Sequence, residues 1–294
     1  MTDSEAEYIF PSSQHTLRNK ASLSLSIVYC SSKASPKPIM AAQAGRKPTV
    51  VLVPGAWQRS SGFDTVHQKL RLLGYPTFLV DHLSTGAEPP TIELTDDVNN
   101  LRQVLQRLVD QERDVVVIAH SYGGVVASCA VEGFDVAELN KAGKNGGVIM
   151  LAYLSAFVLP KGKSLMDGLQ GQWLPWQRVE GDYCRTTNEA EVFYNDLSVP
   201  EQRKWIATMT HMPVAVFKSK STYEPWHVIP CMYIFCTKDN AIPTVLQTAM
   251  ASQMGSITTY EIVSSHSPFL SSPDEVVGGI ELAARTGEEK KRLM

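Results

Sequence analysis

Ser121 lies in Ala119-His120-Ser121-Tyr122-Gly123-Gly124, directly after the β-branched run Val115-Val116-Val117-Ile118-Ala119. The small residues that follow, 122–131, read as a helix. Strand, serine and helix in this order are the context of a nucleophile elbow, G-x-S-x-G, with Ala119 in place of the first glycine. Such a turn holds the serine in strained backbone geometry and presents its hydroxyl at the positive end of a helix. The flanking positions must be small because strand and helix approach closely, and Ala119 and Gly123 meet that demand. A glycine-rich turn with an incidental serine is the plain alternative, which the surrounding elements disfavour.

A serine hydroxyl is a weak nucleophile until a base takes its proton. The chain has seven histidines. His15 lies in the N-terminal region, His67 inside a helical pattern, and His211 and His227 in an aromatic middle segment. His82 follows a strand and is a weak candidate, while His120 reads as packing beside the elbow with its ring turned from the hydroxyl. His266, in Ser264-Ser265-His266-Ser267-Pro268, follows the last strand at the edge where parallel sheets carry their sites. It is the expected base, ahead of its reading as a surface-loop residue. An acid must orient it. Asp239, in Thr237-Lys238-Asp239-Asn240-Ala241-Ile242-Pro243, emerges from another strand at the same edge, although carboxylates are common near helix starts anyway. Asp81 is the fallback acid.

Acyl transfer also needs donors for the developing oxyanion. The loop Pro54-Gly55-Ala56-Trp57 and the residue after the nucleophile can supply backbone N–H groups, so Ala56 and Tyr122 are the expected pair. Gly55 would let the backbone approach a substrate, or simply form a tight turn.

The elements that must position these residues follow a regular rhythm from Lys47 onward. Strands are expected at 49–53, 77–80, 115–119, 148–151, 232–235 and 258–263, and helices at 62–73, 122–131, 243–254 and from Pro273. A further helix carries Val98, Leu101, Leu105 and Leu108, with Thr95 as its expected cap. Alternation of this kind predicts an α/β fold, a parallel sheet with helices on both faces. The rhythm lapses over 161–226, which holds Trp173, Trp176, Trp205 and Trp226 of the five tryptophans. The expected domains are therefore a core of 47–160 and 227–294 and a cap insertion of 161–226. Residues 1–46 are rich in Ser and Lys and read as a flexible tail, with an added strand around Leu23, Leu25 and Ile27 as the alternative and Met40 as an alternative start.

Composition limits the function. Of 294 residues 44% are hydrophobic, which excludes a wholly disordered chain, and the net charge of -3 gives no basic excess for nucleic acid. No apolar run approaches the roughly 18 residues of a membrane span. The acidic start argues against signal and transit peptides. Five cysteines, an odd number without C-x-x-C spacing, argue against zinc and disulfide frameworks and for a reducing compartment, so a cytoplasmic location is expected. No cofactor or metal is expected.

Val53-Pro54-Gly55-Ala56-Trp57, the Ser121 elbow, Asp239-Asn240-Ala241-Ile242-Pro243 and His266-Ser267-Pro268-Phe269-Leu270 together resemble the α/β-hydrolase superfamily. Within it they look most like the branch of plant methylesterases, hydroxynitrile lyases and esterase-like fungal and bacterial proteins. The resemblance covers 47–294, in the Ser…Asp…His order of the superfamily. It implies an α/β-hydrolase fold with a mostly parallel sheet and a helical cap insertion. It places the nucleophile on Ser121, the acid on Asp239, the base on His266 and the oxyanion donors on Ala56 and Tyr122. Three departures stand out: Pro54 where histidine is usual, Gly55 where the lyases carry threonine, and Ser267 where they carry lysine. Cyanohydrin cleavage needs that lysine's charge, so its absence favours hydrolysis.

The expected function is a serine hydrolase acting on a small, mostly apolar carboxylic ester, thioester or lactone. Trp57, Trp173, Trp176 and Trp205 are candidate pocket residues, although tryptophans of this kind can simply pack a cap onto a core. The expected partner is a small-molecule substrate, with no nucleic acid and no membrane span, and a homodimer left open. Two rivals stand beside it: a lyase, isomerase or cyclase of a biosynthetic pathway on the same scaffold, and a non-catalytic small-molecule receptor.

Overall fold

The computed structural model describes residues 46–294. The expected tail, apart from Arg46, and the alternatives around Leu23 and Met40 lie outside the described residues. The strands are β1 (Thr49–Val53), β2 (Thr77–Leu79), β3 (Asp114–His120), β4 (Gly147–Leu154), β5 (Gln177–Glu180), β6 (Tyr183–Thr186), β7 (Met212–Pro213), β8 (Cys231–Cys236) and β9 (Thr258–Ile262). Six of them form one sheet in the order β2-β1-β3-β4-β8-β9. Every pairing in it is parallel.

Apolar residues fill both faces of this sheet, as continuous β-branched strands require. Val51 and Val53 of β1 join one core, and Val50 and Leu52 join the other. The first core receives Leu101, Leu105 and Leu108 of the helix Leu94–Asp110 and Val125 and Val126 of the helix Gly123–Ala130. The second receives Val66 and Leu70 of Asp64–Leu72 and Val276 and Ile280 of Pro273–Arg292. Full burial stabilises each such side chain by about 1.5–3 kcal/mol. The rigid strands thus hold the loops at their carboxyl ends in fixed places.

Two local expectations differ from the structure. The helix expected behind Thr95 begins at Leu94 instead, and Glu93 is its cap. There the Asp96 carboxylate accepts from the Glu93 backbone N–H at 2.9 Å, a reciprocal arrangement that a threonine at 95 lies too far along to form. The segment 161–226 is also not purely helical. Its short helices accompany an antiparallel sheet, β5-β6-β7. Gln177 to Glu180 and Tyr183 to Thr186 pair as a hairpin whose turn contains Gly181 at φ 60°. Its short polar strands carry little hydrophobic alternation, which is why the pattern does not announce them. Among the described residues no helix is long and apolar enough to cross a membrane.

Candidate active site

The six-stranded sheet brings five loops to one edge. Gly55 and Ala56 follow β1, Ser121 follows β3, Ser155 follows β4, Asp239 follows β8 and His266 follows β9. Carboxyl ends of parallel strands are where such sheets carry their sites.

Ser121 has φ 52°, in the left-handed region that non-glycine residues rarely occupy. The turn is made possible by its small neighbours. A Cβ on Gly124 would lie 2.5 Å from the Phe157 carbonyl. One on Gly55 would lie 2.9 Å from both the Ser121 Cβ and the His120 ring. Gly55 therefore makes room for the elbow behind it, a different demand from the close approach to substrate expected of it.

His266 Nδ1 donates to Asp239 Oδ2 at 2.7 Å, with both side chains buried. Because a carboxylate only accepts, the neutral ring carries its proton on Nδ1 and keeps a lone pair on Nε2. Asp239 is held by three further donors: Ala241 N–H at 2.7 Å and Ile242 N–H at 2.8 Å on Oδ1, and the Ser155 hydroxyl on Oδ2. Ser155 is fully buried and has φ 40°. Sequence reading missed it, and the only local signal is its place directly after a buried strand at the site edge. Asp81, the fallback acid, accepts instead from the Ser60 N–H at 2.6 Å.

Four other histidines are engaged elsewhere. His120 Nε2 donates to the His266 carbonyl at 2.8 Å, and its ring lies 4.6 Å from that of His266. Burial, and then the neighbouring His266, keep His120 well below the usual imidazole range. It stays neutral and anchors the backbone of its neighbour. His82 Nε2 donates to the Pro54 carbonyl, His211 Nε2 to the Ala87 carbonyl, and His227 pairs with Glu224.

Ser121, His266, Ala56 and Tyr122 all line one cavity. Neither the Ala56 nor the Tyr122 backbone N–H donates to a protein group among the described residues. No hydrogen bond joins His266 Nε2 to Ser121 Oγ. Phe157, Leu165, Leu174, Phe193, Phe217 and Ile242 supply much of the remaining wall, which holds no Lys, Arg, Asp or Glu.

Of the four candidate pocket tryptophans, Trp57 and Trp176 line this cavity. Their rings meet edge to face at 5.6 Å, and Trp57 stacks on Phe217 at 5.3 Å while its Nε1 donates to the Cys184 carbonyl. Trp173 and Trp205 do not line it. Trp173 packs edge-on behind Phe217, and the Trp205 indole donates to Glu201 beneath the Lys204 ammonium, in the helix Val199–Ile206, whose residues are none of them fully buried. Position in an aromatic-rich segment does not reveal which ring faces inward.

A six-stranded parallel sheet with helices on both faces and a left-handed serine at the turn from β3 into the helix Gly123–Ala130 defines the class of fold. The model of the alpha/beta hydrolase family matches residues 50–278, and the chain belongs to that family. It is 31% identical over 245 residues to the alpha/beta hydrolase nvfD of Aspergillus novofumigatus, covering 81% of this chain and 97% of that protein. Among solved structures, a pyrethroid hydrolase from Sphingobium faniae superimposes with TM-score 0.67 at 19% identity, covering 82% of this chain and 99% of that one. Tomato methylketone synthase I does so with TM-score 0.68 at 15% identity, covering 81% and 98%.

Proposed function

We propose that the chain is a serine hydrolase that cleaves a small, mostly apolar carboxylic ester, thioester or lactone. Ser121 Oγ attacks the carbonyl carbon as His266 Nε2 takes the hydroxyl proton. Asp239 holds the imidazole in the tautomer this requires and stabilises its protonated form. The Ala56 and Tyr122 N–H groups bind the oxyanion. In a well-studied case the loss of one such donor costs about 2.7–4 kcal/mol. His266 then returns the proton to the departing alcohol or thiol. Water, deprotonated by the same ring, releases the acid from the acyl-enzyme.

The observation that carries this reading is the 2.7 Å His266–Asp239 hydrogen bond beside a cavity lined by His266, by Ser121 and by Ala56 and Tyr122, whose N–H groups are unengaged. The uncharged wall supports a neutral, largely apolar substrate. Ser267 supports hydrolysis over cyanohydrin cleavage: it is fully buried, and Gln58 donates to its hydroxyl at 3.3 Å, so no cation stands there. The nvfD and pyrethroid-hydrolase likenesses are in keeping with hydrolysis. The four described cysteines are free, in keeping with a reducing compartment such as the cytoplasm. Residues 161–226 act as the cap, supplying Leu165, Leu174, Trp176, Phe193 and Phe217 to the cavity.

The test is turnover of a panel of neutral esters, thioesters and lactones in ¹⁸O-labelled water. One solvent oxygen is expected in the acid product, with loss of turnover in Ser121→Ala. Products that contain no solvent oxygen would point to lyase or isomerase chemistry.

A further inference from the structure

Four polar side chains are buried together behind the cavity. Asp97 is 1% exposed, Ser84 0%, His82 3% and Tyr122 1%. Burying such groups is costly unless each finds a partner: Asp97, Ser84 and Tyr122 bond one another, and His82, packed against Tyr122, bonds the Pro54 carbonyl. Asp97 Oδ2 accepts from the Tyr122 hydroxyl at 2.9 Å and from the Ser84 hydroxyl at 2.5 Å, while Oδ1 accepts from the Ser84 N–H at 3.0 Å. His82 packs edge-on against Tyr122 with ring centres 5.0 Å apart, its Nδ1 4.0 Å from Asp97 Oδ2. Its Nε2 donates to the Pro54 carbonyl at 2.8 Å, because that oxygen can only accept.

The two ends of this network have a common destination. Tyr122 carries one of the two unengaged N–H groups on its own backbone. Pro54 stands two residues before Ala56, which carries the other. Asp97 comes from the helix Leu94–Asp110, and His82 and Ser84 come from the loop after β2, so elements remote from the site grip both donor segments from behind.

We propose that Asp97, His82 and the Tyr122 hydroxyl are positioning groups that fix the spacing of the Ala56 and Tyr122 N–H groups as an oxyanion cradle. This rests on the acyl-transfer reading above. An aliphatic core would fill the same space but would not set the rotation of Tyr122 or the tilt of the Pro54 peptide. Directed hydrogen bonds do both.

The experiment uses the full chain as wild type, Tyr122→Phe, His82→Leu and His82→Gln. Each is measured for kcat and KM on one ester that the wild type hydrolyses. Each is also measured for inhibition by the matching trifluoromethyl ketone and by the matching simple alcohol. The ketone takes a bond from Ser121 Oγ, its carbonyl electron pair moves onto oxygen, and the serine proton passes to His266, so it reports on the cradle. The alcohol reports on the cavity alone. In Tyr122→Phe and His82→Leu, kcat and ketone affinity should fall together by about tenfold to a hundredfold, less than loss of a whole donor. KM and alcohol affinity should stay within about twofold. His82→Gln retains an N–H for Pro54 and should recover most of the loss, and the contrast between His82→Leu and His82→Gln carries the test if Tyr122→Phe fails to fold.

Unchanged kcat in folded Tyr122→Phe and His82→Leu would overturn the proposal, as would an equal loss of ketone and alcohol affinity. A wild type that neither hydrolyses any ester nor binds the ketone would remove the acyl-transfer reading, and this inference with it.

Discussion

Gly123 passes so close to Pro54 that a Cβ on the glycine would lie 2.5 Å from the proline carbonyl oxygen. The elbow and the loop after β1 therefore lock together through backbone, with no side chain able to yield. Gly123→Ala should push the two loops apart. Overpacking of this kind costs about 1–3 kcal/mol, and ester turnover should fall further than stability does. Urea unfolding and steady-state kinetics on the same samples check both.

Ser155 and His266 both donate to Oδ2 of Asp239. Removing the serine hydroxyl leaves three donors but frees the carboxylate to rotate. Ser155→Ala should lower kcat by about tenfold with little change in KM, since small misplacements of reacting groups are expensive. Ser155→Gly should lower kcat by the same factor while losing less stability, because φ 40° suits glycine. A kcat equal to wild type in both would leave Ser155 a structural residue only.

The cavity wall separates the tryptophans. Trp176→Ala should raise KM for small acyl esters by about tenfold, the equivalent of about 1.4 kcal/mol of lost contact, and should admit bulkier acyl groups. Trp205→Ala, outside the cavity, should leave both kcat and KM unchanged. The comparison needs only a series of esters of increasing acyl length.

The pH dependence of stability should carry a mark of His120. Its native pKa lies below the ordinary 6.5, chiefly through burial and then through His266. Below pH 6.5 the unfolded chain takes up a proton that the native chain does not, so stability falls as pH falls toward the depressed native value. His120→Gln keeps a donor for the His266 carbonyl and does not titrate. Between pH 7.5 and pH 5 it should lose less stability than wild type. His67, shifted in the same direction, contributes to both proteins and cancels in the difference. Urea midpoints across that range check the sign.

What could be read from sequence divides along a physical line. β1, β3 and β8 are buried on both faces, so their apolar runs stand out, and the loops at their ends follow. Asp239 and His266 could be assigned to one edge because that edge is defined by strand direction alone. Ser155 could not be singled out, since its bond to Asp239 spans 84 residues and depends on β4 lying beside β8. The His82–Asp97–Tyr122 network escaped for the same reason. His82 reads as a loop histidine until the fold turns it under Pro54. The β5–β6 hairpin was hidden by its polar strands, and Trp205 was grouped with Trp176 because aromatic content carries no direction.

Covalent labelling of Ser121 tests the central claim most directly. The wild-type chain is treated with a fluorophosphonate, and its peptides are mapped by mass spectrometry. One adduct is expected, on Ser121, absent in Ser121→Ala and formed far more slowly in His266→Ala. An adduct that forms at the wild-type rate in Ser121→Ala would place the nucleophile elsewhere and contradict the account.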